Sequence, residues 1–139
     1  MYILDTDILS LIHAGDSRIG QRRARVKSSD IATTIISRIE ILRARYEFLL
    51  KADSGEQLLR AQQWLRRSEG LFSQVKTIFF VDVAALEFDR LRKLRKIKKI
   101  GRADLLIASI AIANRATLVT RNLRHFRQFP NLTVENWAD

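Results

Sequence analysis

Short apolar segments rich in β-branched residues alternate along the chain with longer stretches whose apolar residues recur at helical spacing. The short segments predict strands at residues 1–4, 31–34, 77–81, 117–120 and 132–134. The longer stretches predict helices, because residues three and four positions apart lie on one helix face. Strands that alternate with helices form a parallel sheet covered on both faces. The pattern therefore predicts an α/β fold with a mostly parallel sheet of four to five strands.

Polar residues at the starts of the helical stretches indicate where the helices begin. Asp7 is a good N-cap for a first helix over residues 8–12, and Ser37 with Glu40 has the spacing of a capping box. Residues 102–114 are almost uniformly apolar, so we expect this helix to be buried. The other helices are predicted at residues 37–49, 55–72, 83–98 and 123–128, with Asn122 as the N-cap of the last.

The composition is that of a globular chain without cysteine chemistry. The 139 residues fit one domain and no repeat or linker divides them, so we expect a single domain over residues 1–139. With no cysteine, neither a disulfide framework nor a thiolate metal site can form. No apolar run approaches the ~20 residues that span a bilayer, and residues 1–5 lack the basic start of a signal peptide. We therefore expect a cytoplasmic protein with no membrane association.

A large positive charge points to a polyanionic partner. Lys and Arg total 25 against 15 Asp and Glu, giving a net charge of +10, and such a surplus is typical of proteins that bind nucleic acid. Eight basic residues lie from Arg90 to Arg102, where they either contact an RNA backbone or form a solvated helix face. Two more flank Asn122. The candidate phosphate contacts are Arg95, Lys96, Lys98, Lys99, Arg102, Arg121 and Arg124.

Acidic residues and one amide lie where the predicted strands end. Asp5 and Asp7 follow the first strand. Glu40 lies in the first helical turn after the second strand, Asp104 starts the buried helix, and Asn122 follows the fourth strand. In parallel sheets ligands bind beyond the carboxyl ends of the strands, where the strand order reverses. Carboxylates without His or Cys suit a hard cation, Mg²⁺ or Mn²⁺, which would neutralise their repulsion and activate water on a phosphodiester.

Each of these residues also has a structural explanation. Glu40 could close the capping box of its helix, and Asp104 could complement the dipole of the helix that it starts. Asp7 and Asn122 are good N-caps. Asp5 is the exception, since an acid that ends an apolar strand has no obvious capping task. Spacing alone leaves the metal site and the capping roles equally open.

Four segments resemble the motifs of the PIN-domain family, and within it the VapC-type toxins of type II toxin–antitoxin pairs. Residues 2–9 (YILDTDIL) are similar to the first motif, and residues 34–40 (TIISRIE) to the second. Residues 100–108 (IGRADLLIA) resemble the third, and residues 116–122 (ATLVTRN) the fourth. The ending at residues 126–137 is also typical of these toxins. The four segments occur in the family's order and at its separations over nearly the whole chain.

The resemblance implies a metal site and its residues. Asp5, Glu40 and Asp104 would bind Mg²⁺ or Mn²⁺. The family's usual fourth acid is absent, because the matching position is Asn122 or, in another alignment, His125. We expect Asn122 to complete the catalytic set and a second metal to bind more weakly. The polar neighbours that would position water and phosphate are Thr6, Asp7, Ser37 and Thr120.

By resemblance, the function would be that of a metal-dependent endoribonuclease toxin. It would hydrolyse single-stranded or loop RNA, in tRNA or ribosomal RNA, with metal-activated water. A cognate antitoxin protein would neutralise it, and the chain would form a homodimer.

Other functions fit parts of the sequence. A PIN-like module that binds RNA or a partner without cutting would explain the missing fourth acid and the basic charge. A protein that acts only within its antitoxin complex, as partner of a DNA-binding repressor, is a further alternative. A phosphatase of the haloacid dehalogenase type would use Asp5 and Asp7 as nucleophile and acid. That last function is disfavoured, because the only acids after Asp104 are Glu135 and Asp139.

Overall fold

A five-stranded parallel sheet forms the centre of the molecule. The computed structural model describes all residues, 1–139. Every pair of neighbouring strands is parallel, in the order β3-β2-β1-β4-β5. The predicted α/β class with four to five strands is confirmed, and the sheet is parallel throughout. The strands are β1 Tyr2–Leu4, β2 Ile31–Thr34, β3 Lys76–Ile78, β4 Thr117–Val119 and β5 Thr133–Glu135.

Helices cover both faces of this sheet, as the pattern predicted. Neighbouring side chains of a strand point to opposite faces, so Ile3 and Leu118 belong to one core, while Leu4 and Val119 belong to the other. None of the seven helices is both long and apolar enough to cross a membrane. The helices are α1 Thr6–His13, α2 Ser17–Ala24, α3 Ile35–Leu50, α4 Gly55–Gln74, α5 Asp82–Leu91, α6 Arg102–Ala113 and α7 Leu123–Phe126.

The strand order reverses between β1 and β4. From β1 the chain builds the sheet in one direction through β2 and β3, then returns to add β4 and β5 on the other side. The carboxyl ends of β1 and β4 therefore border a crevice from which the following helices diverge. Asp5 follows β1 directly, and Thr120 follows β4.

The start of α1 differs from the prediction. The N-cap of α1 is Asp5, whose Oδ1 accepts the Thr6 N–H at 2.7 Å. The prediction of Asp7 as N-cap is wrong, and so is the expectation that Asp5 has no capping task. The reason is that β1 ends at Leu4 and α1 begins at Thr6, so the residue between them serves both elements.

α3 begins earlier than the predicted capping box. Its N-cap is Thr34, whose Oγ1 accepts the Ser37 N–H at 3.1 Å. Ser37 thus lies inside the first turn and is buried, and the Glu40 carboxylate bonds to Thr6. The capping box of Ser37 and Glu40 is wrong because Thr34, three residues earlier, has the same capping chemistry and ends the strand.

The long basic helix predicted at residues 83–98 is also wrong. α5 ends at Leu91, and a 3₁₀ turn at Arg95–Ile97 follows. Leu91 and Ile97 are both buried, but residues six positions apart lie ~240° apart around a helix. The chain leaves the helical path after α5, and both side chains reach the core.

Smaller differences concern helix and strand ends. Asn122 precedes α7, but its side chain makes no capping hydrogen bond, so the cap predicted there is wrong. β3 ends at Ile78 and not at residue 81. α2 was not predicted, although Asp16 caps it by accepting the N–H groups of the second and third helical residues at 3.0 and 3.2 Å.

Candidate active site

Asp5 lies at the centre of the crevice between β1 and β4. Its Oδ1 accepts the Thr6 N–H at 2.7 Å, and its Oδ2 accepts the Thr120 hydroxyl proton at 2.8 Å. The residue is only 6% exposed. Because β1 is an inner strand and both carboxylate oxygens are held, the position of this carboxylate is fixed by the fold.

Negative charge accumulates around Asp5. Burial, followed by the carboxylates of Asp7 and Asp104, raises the pKa of Asp5 to about 7, although the hydrogen bonds from Thr120 and Thr6 lower it. A carboxyl group with this pKa is about half protonated at neutral pH. Binding of a cation would stabilise such a site, because the cation favours the ionised form of the carboxyl group.

Asp7 faces the turn that follows β4. Its Oδ2 accepts the Arg121 backbone N–H at 3.3 Å, while its Oδ1 is buried and has no hydrogen-bond partner. Burial raises the pKa of Asp7 above its usual range. The backbone N–H groups of Arg121 and Ile8 and the charge of Arg121 lower this pKa, and the carboxylate of Asp104 raises it. The structure thus brings Asp7 into the same electrostatic environment as Asp5 and Asp104.

Glu40 reaches the site through Thr6. The Thr6 Oγ1 lies 2.7 Å from Glu40 Oε1 and 2.9 Å from Ser37 Oγ. A carboxylate only accepts, so the Thr6 hydroxyl donates to Glu40 and accepts from Ser37. The Glu40 side chain is otherwise exposed. It can therefore turn toward a ligand above Asp5 at the cost of one hydrogen bond.

Asp104, Asn122 and His125 form the opposite wall. His125 Nδ1 lies 2.9 Å from Asn122 Nδ2 and 3.6 Å from Asp104 Oδ2. The Asn122 backbone N–H donates to Thr120 Oγ1 at 3.0 Å, which links this wall to Asp5. The sequence placed Asn122 in the site and treated His125 as its alternative. The structure brings both residues together, because they lie three positions apart on one turn.

The donor set fits a hard cation in its chemistry. Its side chains are carboxylates that raise one another's pKa, an effect that the charge of Arg121 offsets only in part, and one buried carboxylate oxygen, Asp7 Oδ1, accepts no hydrogen bond of good geometry. In their present rotamers, however, no three His, Asp or Glu side chains stand close enough to ligate one metal ion. Asp5 is held firmly, whereas Glu40 and Asp104 are partly accessible to solvent. A cation at this site would have to draw in these two carboxylates.

The seven basic residues proposed as phosphate contacts carry free charges. None of them forms an ion pair with an acidic side chain, in contrast to Arg90 and Arg92, which pair with acids of α5. The Arg102 guanidinium lies over the Phe88 ring at 5.7 Å. Arg121 and Arg124 are exposed beside Asn122. Four others are exposed along the turn before α6, namely Arg95, Lys96, Lys98 and Lys99.

Comparison with known proteins gives a family match over nearly the whole chain and two curated relatives. The PIN domain matches residues 2–132. The chain is 32% identical over 139 residues to ribonuclease VapC2 of Rickettsia felis, covering 99% of this chain and 98% of that protein. It is 30% identical over 86 residues to the tRNA(fMet)-specific endonuclease VapC of Salmonella typhimurium, covering 60% of this chain and 65% of that protein.

Solved structures have the same fold. The VapBC2 complex of Rickettsia felis bound to a promoter DNA fragment contains a chain with a TM-score of 0.81 and 28% identity, covering 98% of both chains. The DNA-bound VapBC complex of Salmonella typhimurium contains one with a TM-score of 0.82 and 24% identity, covering 98% of this chain and 97% of that one.

Proposed function

Because the chain belongs to the PIN-domain family and is similar over 99% of its length to a ribonuclease named VapC2, we propose that it is a metal-dependent endoribonuclease toxin. Its substrate would be RNA with single-stranded loops, such as tRNA or ribosomal RNA. The observation that carries this proposal is the buried carboxylate of Asp5, surrounded by Asp7 and Asp104 and linked through Thr6 to Glu40. We further propose that residues 1–139 act as one domain in the cytoplasm.

The reaction would be hydrolysis of a phosphodiester by water. When bound, Mg²⁺ or Mn²⁺ supplies charge neutralisation and Lewis-acid activation of water and phosphate. Asp5 and Asp104 would hold the cation. Glu40, whose carboxylate is accessible above Thr6, would complete that set or accept the proton of the attacking water.

The wall formed by Asn122 and His125 would act on the phosphate and the leaving oxygen. Asn122 offers a neutral amide, which orients a phosphate oxygen or a water without adding charge. His125, whose Nδ1 lies 2.9 Å from Asn122 Nδ2, has ring nitrogens that can donate or accept a proton. It would supply a proton to the leaving oxygen.

The basic residues would hold the RNA backbone. Seven unpaired cations border the turns on either side of the site, and contacts of this kind give affinity with little sequence preference. The choice of RNA would come from the loop shape that fits the crevice. The Salmonella relative is named for a single tRNA, which supports a structured RNA as the substrate.

A cognate antitoxin would regulate the chain. The similar solved structures are VapBC complexes, and two of them are bound to DNA. We propose that this chain also binds an antitoxin, that it forms a homodimer, and that any DNA contact comes from the antitoxin. This arrangement would keep the nuclease silent while the complex represses transcription.

Cleavage of total cellular RNA by the purified protein tests the proposal. Reactions with Mg²⁺, Mn²⁺ or EDTA would be run beside Asp5→Asn. Discrete fragments that require the metal and vanish in Asp5→Asn are expected. Random degradation that persists in Asp5→Asn would identify a contaminant and contradict the proposal.

A non-cleaving RNA-binding module is the second candidate. Two observations favour it. No three of the acidic side chains are close enough together to bind one metal ion, and position 122 carries an amide instead of an acid. It predicts that folded protein binds RNA without cutting it and that Asp5→Asn binds equally well. The same cleavage assay, combined with a binding assay, separates the two functions.

A further inference from the structure

Two adjacent phenylalanines follow β3 at the carboxyl edge of the sheet. Because β3 ends at Ile78, Phe79 and Phe80 lie in the connection to α5, where they are 58% and 37% exposed. Val81 continues this run of exposed apolar residues. All strands are parallel, so the run belongs to the same edge as Asp5. Exposed apolar surface beside a candidate active site indicates a binding surface.

Phe80 belongs to a cluster of aromatic and cationic side chains. Its ring centroid lies 6.2 Å from that of Phe88, and the two ring planes are nearly perpendicular, at 82°. The guanidinium carbons of Arg102 and Arg92 lie 5.7 and 5.8 Å from the centre of the Phe88 ring. Edge-to-face ring pairs and guanidinium groups over aromatic rings are both favourable contacts. The connection after β3, α5 and the start of α6 therefore meet at Phe88.

The two arginines of this cluster differ in the charge that they offer to a ligand. The Arg92 guanidinium lies 3.7 Å from the Asp89 carboxylate of α5, whereas Arg102 forms no ion pair with an acidic side chain. Arg102 is exposed and starts α6, two residues before Asp104. A free cation thus connects the aromatic rings to the helical turn that carries Asp104.

An unpaired nucleobase matches this combination of rings and charge. Every base has a flat π face that can stack on an aromatic side chain, and the phosphate joined to it is attracted by arginine. A second copy of the chain could also cover the rings, but a twofold contact here would bring two basic turns together. The net charge of +10 disfavours that contact and favours a polyanion.

We propose that Phe80, supported by Phe88, stacks an unpaired base of the bound RNA while Arg102 contacts a neighbouring phosphate. This inference rests on the proposed ribonuclease function and adds a base-contacting subsite to it. Phosphate contacts alone give affinity without sequence preference. A stacking subsite on the side of Asp104 would instead select RNA whose bases are free to leave the helix, as they are in loops.

Variants of Phe80 separate stacking from charge. Phe80→Leu removes the aromatic face but keeps an apolar side chain, and Phe80→Tyr keeps the face. The matched control is Phe48→Leu, because Phe48 is 52% exposed near the far end of α3 and contacts no other ring or guanidinium group. The probes are a short single-stranded RNA and the same strand with abasic sites, which keeps the phosphates and lacks the bases. Fluorescence anisotropy in EDTA measures binding without metal-dependent cleavage.

Stacking predicts a loss of affinity that depends on the bases. Phe80→Leu should bind the RNA about tenfold more weakly and the abasic strand with unchanged affinity. Phe80→Tyr and Phe48→Leu should bind both strands as the unchanged protein does. The slope of log affinity against log salt should stay the same in Phe80→Leu, because no phosphate contact is lost, whereas Arg102→Gln should lower it by about 0.7.

The results that would overturn the inference are distinguishable. If the unchanged protein binds the RNA and the abasic strand equally well, or if Phe80→Leu binds the RNA as tightly as the unchanged protein, RNA binding stands and the subsite is wrong. If Phe80→Leu lowers the molecular mass in light scattering at unchanged RNA affinity, the surface is a contact between copies of the chain. If the folded, unchanged protein binds no RNA, the proposed function fails together with the subsite.

Discussion

Asp5 and Thr120, 115 residues apart in sequence, are joined by a hydrogen bond of 2.8 Å between the Thr120 hydroxyl and Asp5 Oδ2. They follow β1 and β4, the two strands between which the strand order reverses. The same hydroxyl accepts the Asn122 N–H at 3.0 Å. One threonine therefore positions both the central carboxylate and the turn that carries Asn122 and His125.

Removal of the Thr120 hydroxyl should disturb the site and the fold together. Thr120→Val keeps the shape of this fully buried side chain but leaves the Asn122 N–H and the Asp5 carboxylate without their partner. We expect a loss of about 1–3 kcal/mol in the free energy of unfolding and a large drop in cleavage rate. Urea denaturation and cleavage kinetics measure the two effects. Thr120→Ser, which keeps the hydroxyl, should recover most of the rate; equal rates in both variants would contradict this role.

Asp5→Asn should stabilise the metal-free protein while abolishing cleavage. The rise in the pKa of Asp5 from 3.8 to about 7 corresponds to an upper limit of roughly 4 kcal/mol lost on ionisation at pH 8. The amide still accepts the Thr6 N–H as an N-cap. Thermal unfolding in EDTA at pH 8 should therefore give a higher melting temperature for Asp5→Asn. A lower melting temperature would show that the ionised Asp5 carboxylate stabilises the folded protein, and it would contradict this prediction.

The pH dependence of stability should have the sign set by this raised pKa. Between pH 3.8 and about 7, the folded state keeps a proton on Asp5 that the unfolded state has already released. This contribution to stability is present below pH 3.8 and is lost as the pH rises through about 7. The contribution is isolated by the difference in unfolding free energy between the unchanged protein and Asp5→Asn in EDTA. Relative to the unchanged protein, Asp5→Asn should become more stable as the pH rises from 5 to 8. A difference that stays constant over this range would contradict the raised pKa of Asp5.

The free cations before α6 should contribute to RNA affinity. Lys98→Gln with Lys99→Gln removes two exposed charges that have no acidic partner. Each lost phosphate contact lowers the slope of log affinity against log salt by about 0.7. Filter binding at several salt concentrations should show a weaker complex and a smaller slope. The matched control is Lys51→Gln with Arg66→Gln, two exposed cations that form no ion pair, and an equal loss in that control would mean that only net charge matters.

The parts of the fold that depend on hydrophobic pattern were predictable. β2 was predicted at its observed residues, and α6 was predicted to within one residue, because uniformly apolar segments bounded by polar residues leave little choice. The basic stretch after Leu91 was not, since burial of Ile97 overrides the local helical spacing. Tertiary packing determines the conformation of that segment, and the local sequence pattern does not predict it.

The site residues were predictable as a group, while their individual tasks were not. The acids at strand ends meet because parallel strands end at one edge of the sheet. That Asp5 caps α1, and that Thr34 and not Ser37 caps α3, depends on where each strand gives way to its helix. The choice between Asn122 and His125 could not be made from the sequence, because one turn brings both into the site: His125 Nδ1 lies 2.9 Å from Asn122 Nδ2 and 3.6 Å from Asp104 Oδ2.

The most direct test of hydrolysis by metal-activated water is the chemistry of the cut ends. A single purified RNA fragment would be analysed by mass spectrometry after cleavage in Mg²⁺. Attack by water with departure of the 3′ oxygen predicts a 5′-phosphate and a 3′-hydroxyl. A 2′,3′-cyclic phosphate with a 5′-hydroxyl would mean attack by the RNA's own 2′-hydroxyl, and it would contradict the roles given to Asp5, Glu40 and Asp104.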